Sequence, residues 1–476
     1  MIPFNRTKIV ATIGPASASK QTLIELIEAG VDVCRINFSH GSYEDHKSVI
    51  EYIREINEEL GTNIGILADL QGPKLRIGEM ENNGVELIPE NEIIITTTKC
   101  IGNAQKIYMT YKQFPNDVKQ GERVLLDDGK IILEVIESDK SEQVKAKVVQ
   151  GGILSSKKGV NLPNTKVSLP CLTEKDLKDL DFALENNVEW IGLSFVRSAG
   201  DIIELKCLIN SKGLKTKIIA KIEKPEAIED IDDIIKETDG LMVARGDLGV
   251  EVPMENVPLI QKMLVKKCLN AGKPIIVATQ MMESMINNMS PTRAEVNDVA
   301  NSVMDGADAI MLSGETSIGK YPVKVIEAVQ KIISQVETFE GIYNHNHLPD
   351  MNNLERYISD SICLNACMLS QSVGAKAIVT MTSSGYTAFK ISSYRPKTNI
   401  FIFTSNKTLL KTLSLVWGIR GFYYDKVVST DHTMADIKYI LRKNGFVNLG
   451  DLIINTASMP ITDNGKTNML KLSHVD

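Results

Sequence analysis

The chain has 476 residues, which at about 150 residues per domain predicts roughly three domains, long enough to bury several cores without disulfides or structural metals. Hydrophobic residues make up 43% and charged residues 24% of it, the composition of a globular protein and not of a disordered one. The 53 Lys and Arg against 60 Asp and Glu leave a net charge of −7, which excludes a nucleic-acid binder that relies on a basic excess. The seven cysteines, at positions 34, 100, 171, 207, 268, 363 and 367, contain no CxxC. They read as reduced thiols of a cytoplasmic protein. The opening MIPFNRTKIVATIG is no secretory leader, and no apolar run approaches the ~18 residues of a membrane span.

In chain order, short apolar runs alternate with stretches of helical period, the pattern of βα units. The first run is 7–14, followed by a helix near 19–29. Next come a run at 31–38 and a helix over 43–60, each helix ended by a glycine. A third run covers 63–70. The alternation then stops for about ninety residues and resumes with a helix at 173, after which strands are predicted at 189–195, 217–222, 239–244, 273–279 and 308–313. Three strands before the gap and five after it make eight, the number for a (β/α)8 barrel. The alternative, a doubly wound open sheet, is disfavoured by that count. The insertion, 74–170, has alternating or β-branched runs at 92–98, 124–126, 130–135 and 143–149, with turns such as Asp127-Asp128-Gly129, and is predicted to be a small β-barrel lid. A linker at 343–353 leads to a third unit: a helix over 354–373, strands at 376–381, 399–404, 421–424, 451–456 and 468–472, and helices from 386, from 407 and over 434–443. The predicted division is 1–73 with 171–340 for the barrel, 74–170 for the lid and 341–476 for a C-terminal α/β domain.

Chemistry in such a barrel sits at the C-terminal ends of its strands. Here those ends carry Arg35, Asn37, Ser39 and His40; Asp69; Ser194 and Arg197; Lys221 and Glu223; Arg245, Gly246 and Asp247; Thr279 and Gln280; and Ser313 to Thr316. Any one is an ordinary solvated loop residue; all on one rim define a site. Lys221 and Glu223 are two apart on a strand and so face one side. The lysine can neutralise a transferring phosphoryl group. Glu223 and Asp247, from adjacent strands, offer two hard oxygen ligands that suit Mg2+, whereas the six histidines supply no zinc spacing. The competing reading of Glu223 is a salt bridge to Lys224 or Lys221.

At this point the motifs themselves speak. TKIVATIGPAS (7–17), CRINFSHG (34–41), ADLQGPKLRIG (68–78), KKGVNLP (157–163), AKIEKPEA (220–227), MVARGDLGVE (242–251), ATQMMESM (278–285) and PTRAEVNDVANSVMDGADAIMLSGET (291–316) resemble pyruvate kinases, in order along the whole chain. The resemblance implies a glycolytic transferase that moves a phosphoryl group from phosphoenolpyruvate to ADP, giving pyruvate and ATP. It implies Mg2+ (or Mn2+ in its place) on Glu223 and Asp247, phosphoryl charge offset by Lys221, and a phosphate clamp from Arg35. It also places the substrate carboxylate on the Gly246 and Asp247 N–H groups and ties Thr279 to protonation of the enolate, as part of a water relay. Asn37, His40, Tyr43, Arg76 and Lys158 match positions near the nucleotide, and Asp128 lies near the closed lid. For Lys157 and Lys158, a plain solvated surface pair is the rival reading. The resemblance further implies an allosteric homotetramer.

Asn37, Ser39, Asp69 and the Leu70 carbonyl match the positions at which many family members hold K+. K+-dependent members carry a glutamate in a Thr-Lys-Gly-Pro-Glu stretch, where this chain reads Leu70-Gln71-Gly72-Pro73-Lys74. A tethered ammonium at Lys74 replaces the recruited ion, so the expectation is activity without K+ and with Mg2+. In the third unit, Thr382, Ser383, Ser384, Gly385 and Thr387 form a turn able to hold a phosphate; an ordinary helix cap is the rival. Residues 457–466 lack the Trp and Arg of fructose-1,6-bisphosphate-responsive relatives, which favours a sugar monophosphate or AMP as effector, or no regulation. Two other classes stay open: a Mg2+-dependent lyase or mutase acting on pyruvate or its enolate, and a non-catalytic scaffold.

Overall fold

The computed structural model describes residues 3–476 apart from 346, 352, 427–428 and 460–464. Eight parallel strands close a barrel: β1 (Lys8–Ile13), β2 (Val33–Asn37), β3 (Gly65–Asp69), β4 (Trp190–Leu193), β5 (Lys217–Ile222), β6 (Gly240–Ala244), β7 (Ile275–Ala278) and β8 (Ala309–Leu312). Each strand lies beside its neighbours in sequence, and β1 closes on β8 through Lys8 opposite Ala309.

Alternation along the strands sorts side chains into two environments. Ile9, Ala11, Ile218 and Ala220 face the surrounding helices. Val10, Val33, Leu67, Trp190, Ile219, Met242, Ile276 and Met311 point inward and fill the barrel's lower layers. Two residues further along, the inward positions turn polar: Thr12 after Val10, Arg35 after Val33, Asp69 after Leu67 and Lys221 after Ile219. The apolar floor and the polar top are thus written in the same strands.

The insertion is all-β. A six-stranded sheet runs, in spatial order, Val160–Asn161, Arg123–Leu126, Ile131–Ser138, Gln143–Gln150, Glu92–Thr96 and Lys106–Tyr108; Gly84–Leu87 pairs with Gly152–Ser155 as a separate ribbon. Both share one core around Ile93, Leu133, Val144 and Leu154. Four of these strands are absent from the sequence reading. They are only two to four residues long, too short for an alternating pattern to stand out.

The C-terminal unit is a five-stranded sheet, ordered Ile419–Tyr423, Asn399–Thr404, Ala377–Met381, Leu452–Ala457 and Met469–His474, with only the last antiparallel. Among its helices are α2 (Leu354–Val373) and α3 (Tyr386–Ser393), α1 being the barrel helix Arg245–Glu251. The helix expected over 434–443 begins at Thr430, because Ser429 caps it by accepting from the His432 N–H. The polar first turn hides that start from an apolar-period reading.

This unit also plugs the barrel. Leu415 and Phe389 pack onto the apolar interior layer, and the Trp190 indole N–H donates to the Thr412 carbonyl at 3.2 Å. Arg395, 1% exposed, pairs with Asp308 at 2.8 Å and donates to the Gly306 carbonyl. Asp308 also accepts from the N–H groups of Ile275 and Trp417. The linker docks alongside, with Asn344 and His345 N–H donating to the carbonyls of Arg395 and Tyr394. Removing one partner of a buried pair strands the other charge, so Arg395→Met is expected to cost about 3–5 kcal/mol, read as a lower urea midpoint. A loss below about 1 kcal/mol would instead assign the junction to its apolar contacts.

Candidate functional site

The polar top layer is a network of buried charges. The Arg35 guanidinium grips Asp69 with Nε at 2.7 Å and Nη2 at 2.5 Å, and donates from Nη1 to Thr12 Oγ1 at 2.9 Å. Thr12 and Arg35 are register partners on β1 and β2, as are Asn37 and Asp69 on β2 and β3. The Lys221 ammonium lies 3.1 Å from Asp69, 3.0 Å from Glu223 and 2.7 Å from Ser194 Oγ. Ser194 in turn donates to the Leu70 carbonyl.

Electrostatics follow from that packing. Burial opposes charge on Lys221, but Asp69 and Glu223 overcome it and raise the ammonium above its ordinary value. Burial likewise opposes charge on Asp69, yet Lys221 and Arg35 together hold its carboxyl below the usual range. Glu223 is the odd member: burial, with Asp247 adding, pushes it up despite Lys221. Its Oε2 accepts from the Phe195 N–H at 2.9 Å.

Helix α1 (Arg245–Glu251) follows β6 and carries Gly246 and Asp247 in its first turn. Thr279, just past β7, has φ +71 and Gln280 φ +55, a conformation rare for a β-branched residue and found where a site over-determines it. Arg245 pins this turn by donating to the Thr279 carbonyl while forking onto Asp298. As a result Thr279 Oγ1 accepts the Gly246 N–H at 2.7 Å. The hydroxyl and the first turn of α1 are thus in direct contact.

For a metal, the donor set is two carboxylates. Among the described residues no group of three or more His, Cys, Asp or Glu converges. Two hard oxygens, with Glu223 raised in part by Asp247, fit Mg2+, which fills its remaining positions with water and substrate oxygens.

The expected nucleotide residues fall into two groups. Asn37 accepts the Ser39 N–H, His40 is exposed, and Tyr43 stacks on Phe182 while donating to Asp179 at 2.7 Å. On the lid, Arg76 bridges to Gly159 and donates to the Lys157 carbonyl; Lys158 pairs with Asp127 at 2.8 Å. Lys74 is exposed and without an ion-pair partner among the described residues, lining a narrow lid–barrel cleft with Asp128 and Asp247. In the C-terminal unit, Thr382, Ser383, Ser384 and Thr387 line a cavity of about 450 Å3 with Arg356 and Lys466. Gly385 lies at its edge, with φ +86 and its N–H on Thr382 Oγ1. Part of loop 457–466, residues 460–464, lies outside the described residues.

A closed (β/α)8 barrel with a buried lysine between carboxylates and a second carboxylate at the same strand ends, beneath an inserted all-β unit, has the form of a barrel enzyme whose chemistry sits at the C-terminal rim. Comparison with known proteins narrows the class. Residues 4–326 match the family model for the pyruvate kinase barrel domain, and residues 360–473 that for the pyruvate kinase alpha/beta domain. The chain is 43% identical over 471 residues to the pyruvate kinase of Geobacillus stearothermophilus, covering 98% of this chain and 80% of that one. To the Corynebacterium glutamicum pyruvate kinase it is 42% identical over 465 residues, covering 98% and 96%. A crystal structure of a pyruvate kinase from Cryptosporidium parvum superposes with a TM-score of 0.93 at 34% identity, covering 99% and 96%. The chain belongs to the pyruvate kinase family. Its activity is that of the family, phosphoryl transfer from phosphoenolpyruvate to ADP to give pyruvate and ATP, and membership implies dependence on Mg2+.

Two contributors are not singled out by the sequence reading: Thr12, which steadies Arg35, and the Phe195 N–H on Glu223. Thr12 is findable as the first polar residue inward of Val10 on the strand, whereas the Phe195 contact depends on how a loop folds back. Glu315, within the expected rim stretch Ser313 to Thr316, accepts from the N–H groups of Met282 and Ser313.

Gly192 gives a direct test of the network. A β-carbon there would stand 2.9 Å from Asp69 Oδ1, and the buried, twice-paired aspartate has no room to yield. Gly192→Ala is therefore expected to lower kcat/KM for phosphoenolpyruvate by about tenfold or more while unfolding stays cooperative. Unchanged kinetics would mean that the Asp69 position is immaterial.

Proposed function

We propose that Lys221, Arg35 and Thr279 are the catalytic residues of this chain, with Gly246 and Asp247 binding the substrate carboxylate through backbone N–H groups, the Gly246 N–H exchanging Thr279 Oγ1 for the carboxylate. The observation that carries this reading is the Lys221 ammonium, buried and charged between Asp69 and Glu223. A cation so fixed needs no reorganisation as charge spreads over the transferring phosphoryl oxygens. Arg35, already oriented by Asp69 and Thr12, presents its remaining donors to the phosphate. Glu223 and Asp247 hold Mg2+, which when bound neutralises phosphoryl and enolate charge. Thr279 orders the water that delivers a proton to the enolate carbon, since a hydroxyl donating to the Ala278 carbonyl is a poor acid by itself.

ADP lies between barrel and lid, with Asn37, His40 and Tyr43 below and Arg76 and Lys158 above. The lid excludes water, so that ADP and not water takes the phosphoryl group. The units are 1–73 with 171–340 for the catalytic barrel, 74–170 for the lid and 341–476 for a regulatory domain. The 450 Å3 cavity takes a phosphorylated effector, a sugar monophosphate or AMP, on Thr382, Ser383, Ser384, Gly385 and Thr387; its hydroxyl lining and the Arg356 and Lys466 cations support this. Exposed apolar side chains on α2, Leu354 and Ile358, and on the barrel, Met254 and Leu259, support a homotetramer. No helix among the described residues is long and apolar enough to cross a membrane, in keeping with a cytoplasmic enzyme.

Activity without K+ is supported by the state of the matching positions. Asp69 is balanced by two cations, the Leu70 carbonyl takes the Ser194 hydroxyl, and Lys74 brings its own charge to the cleft. Pyruvate formation from phosphoenolpyruvate and ADP with Mg2+ is expected to be equal within about twofold when a large organic cation replaces K+ at fixed ionic strength. A loss of about tenfold or more would discard the tethered-charge argument.

The effector reading is tested by titrating sugar monophosphates and AMP against phosphoenolpyruvate half-saturation. At least one is expected to lower it about threefold or more, an effect Thr382→Ala weakens; no shift across the panel would leave the cavity without a regulatory role.

A further inference from the structure

Two sets of hydrogen bonds join the lid, residues 74–170, to the barrel among the described residues: Arg197 donates to the Val167 and Leu169 carbonyls beside the point where the chain re-enters the barrel, and Asn161 makes a contact away from that point. Asn161 Nδ2, on lid strand Val160–Asn161, donates to Glu251 Oε1 at 2.8 Å. Lys224 Nζ reaches the same oxygen at 2.6 Å. The Glu251 side chain is 1% exposed and that of Lys224 12%, so the carboxylate is fixed away from bulk water. Its other oxygen is buried without a hydrogen-bond partner. Close by, the lid turn meets the same helix: a β-carbon on Gly129 would stand 3.8 Å from Val250.

The placement of these groups gives the contact its meaning. Glu251 ends α1, whose first turn carries Gly246 and Asp247, and Lys224 directly follows Glu223. On the lid, Asn161 is paired to Leu125 beside the Asp127–Asp128 turn. It also lies three residues past Lys158, in the stretch where Gly159 bridges to Arg76 and the Lys158 carbonyl accepts the Ile77 N–H. A shift of Asn161 therefore displaces Arg76, Lys158 and the turn together, while leaving the barrel strands untouched.

We propose that the Lys224–Glu251 pair is the seat on which the lid is registered, through Asn161, over the helix that bears the substrate and metal groups. Glu251 and Asn161 are positioning residues that set where the lid's cations stand relative to the barrel's phosphoryl site. Lys224 orients the carboxylate through its 2.6 Å contact, so that the Asn161 amide meets an ion-paired acceptor held in place. The inference rests on placing the nucleotide in the lid–barrel cleft.

The test uses the full chain with Asn161→Ala, which removes the lid's grip and keeps the Lys224–Glu251 pair intact. Half-saturation by ADP is expected to rise about fivefold or more, with phosphoenolpyruvate half-saturation changed less than about twofold. Exchange of the pyruvate methyl protons with solvent, run with Mg2+ and inorganic phosphate, reports the barrel chemistry alone and is expected to stay within about twofold. Asn161→Ser, which keeps a hydroxyl but falls short of Glu251, gives the same split and serves should the alanine variant fail to fold. Unchanged ADP half-saturation, or proton exchange falling in step with phosphoryl transfer, overturns the proposal. If the unsubstituted chain itself does not saturate with ADP, the cleft assignment beneath it falls.

Discussion

The site depends on keeping two cations and two anions, Arg35, Lys221, Asp69 and Glu223, out of water at the top of the barrel. Each ion by itself would cost several kcal/mol to bury or would discharge. Lys221 and Asp69 hold each other's charge because Asp69 is shared, Arg35 taking one oxygen and Lys221 the other, whereas Glu223 is still pushed up by burial and Asp247. This makes Asp69 the residue on which the geometry of both cations, Arg35 and Lys221, turns. Gly192 completes the arrangement by having no side chain opposite it.

Such a network demands a rigid base, and the barrel interior supplies it. Beneath the polar layer lie Val33, Leu67, Trp190, Ile219 and Met242, packed and dry. An open lower mouth would let water reach that layer from below. The C-terminal unit prevents this by inserting Leu415 and Phe389 and by locking Arg395 onto Asp308, the residue that precedes β8. The C-terminal unit is thus the floor of the barrel. α3 runs from the Thr382–Gly385 turn at its N-terminus to Ser392 and Ser393, beside Arg395 at the barrel, so the hydroxyl-lined cavity and the floor share one two-turn element.

Much of this was legible in the sequence, for a physical reason. The barrel strands are short, β-branched and flanked by well-capped helices, and the polar residues at their ends stand out against apolar runs; the second helix of the barrel begins at Tyr43 and ends at Leu60, as its apolar period and Gly61 indicate. Lys221 and Glu223 announce themselves as charges where a strand should be apolar. The lid was less legible because four of its strands are too short to carry a pattern. The electrostatic partnerships were legible only in part: two-residue spacing shows that Lys221 and Glu223 share a side, but not that Asp69, from a strand 150 residues away in the chain, stands between Lys221 and Arg35. Nor does any motif disclose that Asn161 and Glu251 meet.

The contrast between barrel and lid cations follows from solvent. Lys158 holds Asp127 at the surface, with more than a third of its side chain exposed. Exposed pairs of this kind are worth about 0–1 kcal/mol, so parting Lys158 from Asp127 costs little. Lys221 has no such freedom, because leaving Asp69 and Glu223 would strand two buried carboxylates. One cation can therefore change partners at the surface, and the other is held still. The proposed function asks for both: a lid cation that meets an acceptor arriving and departing with each turnover, and a fixed field in which the phosphoryl group crosses; the first requires a defined place for the lid over the barrel, which the Asn161 contact onto the end of α1 supports.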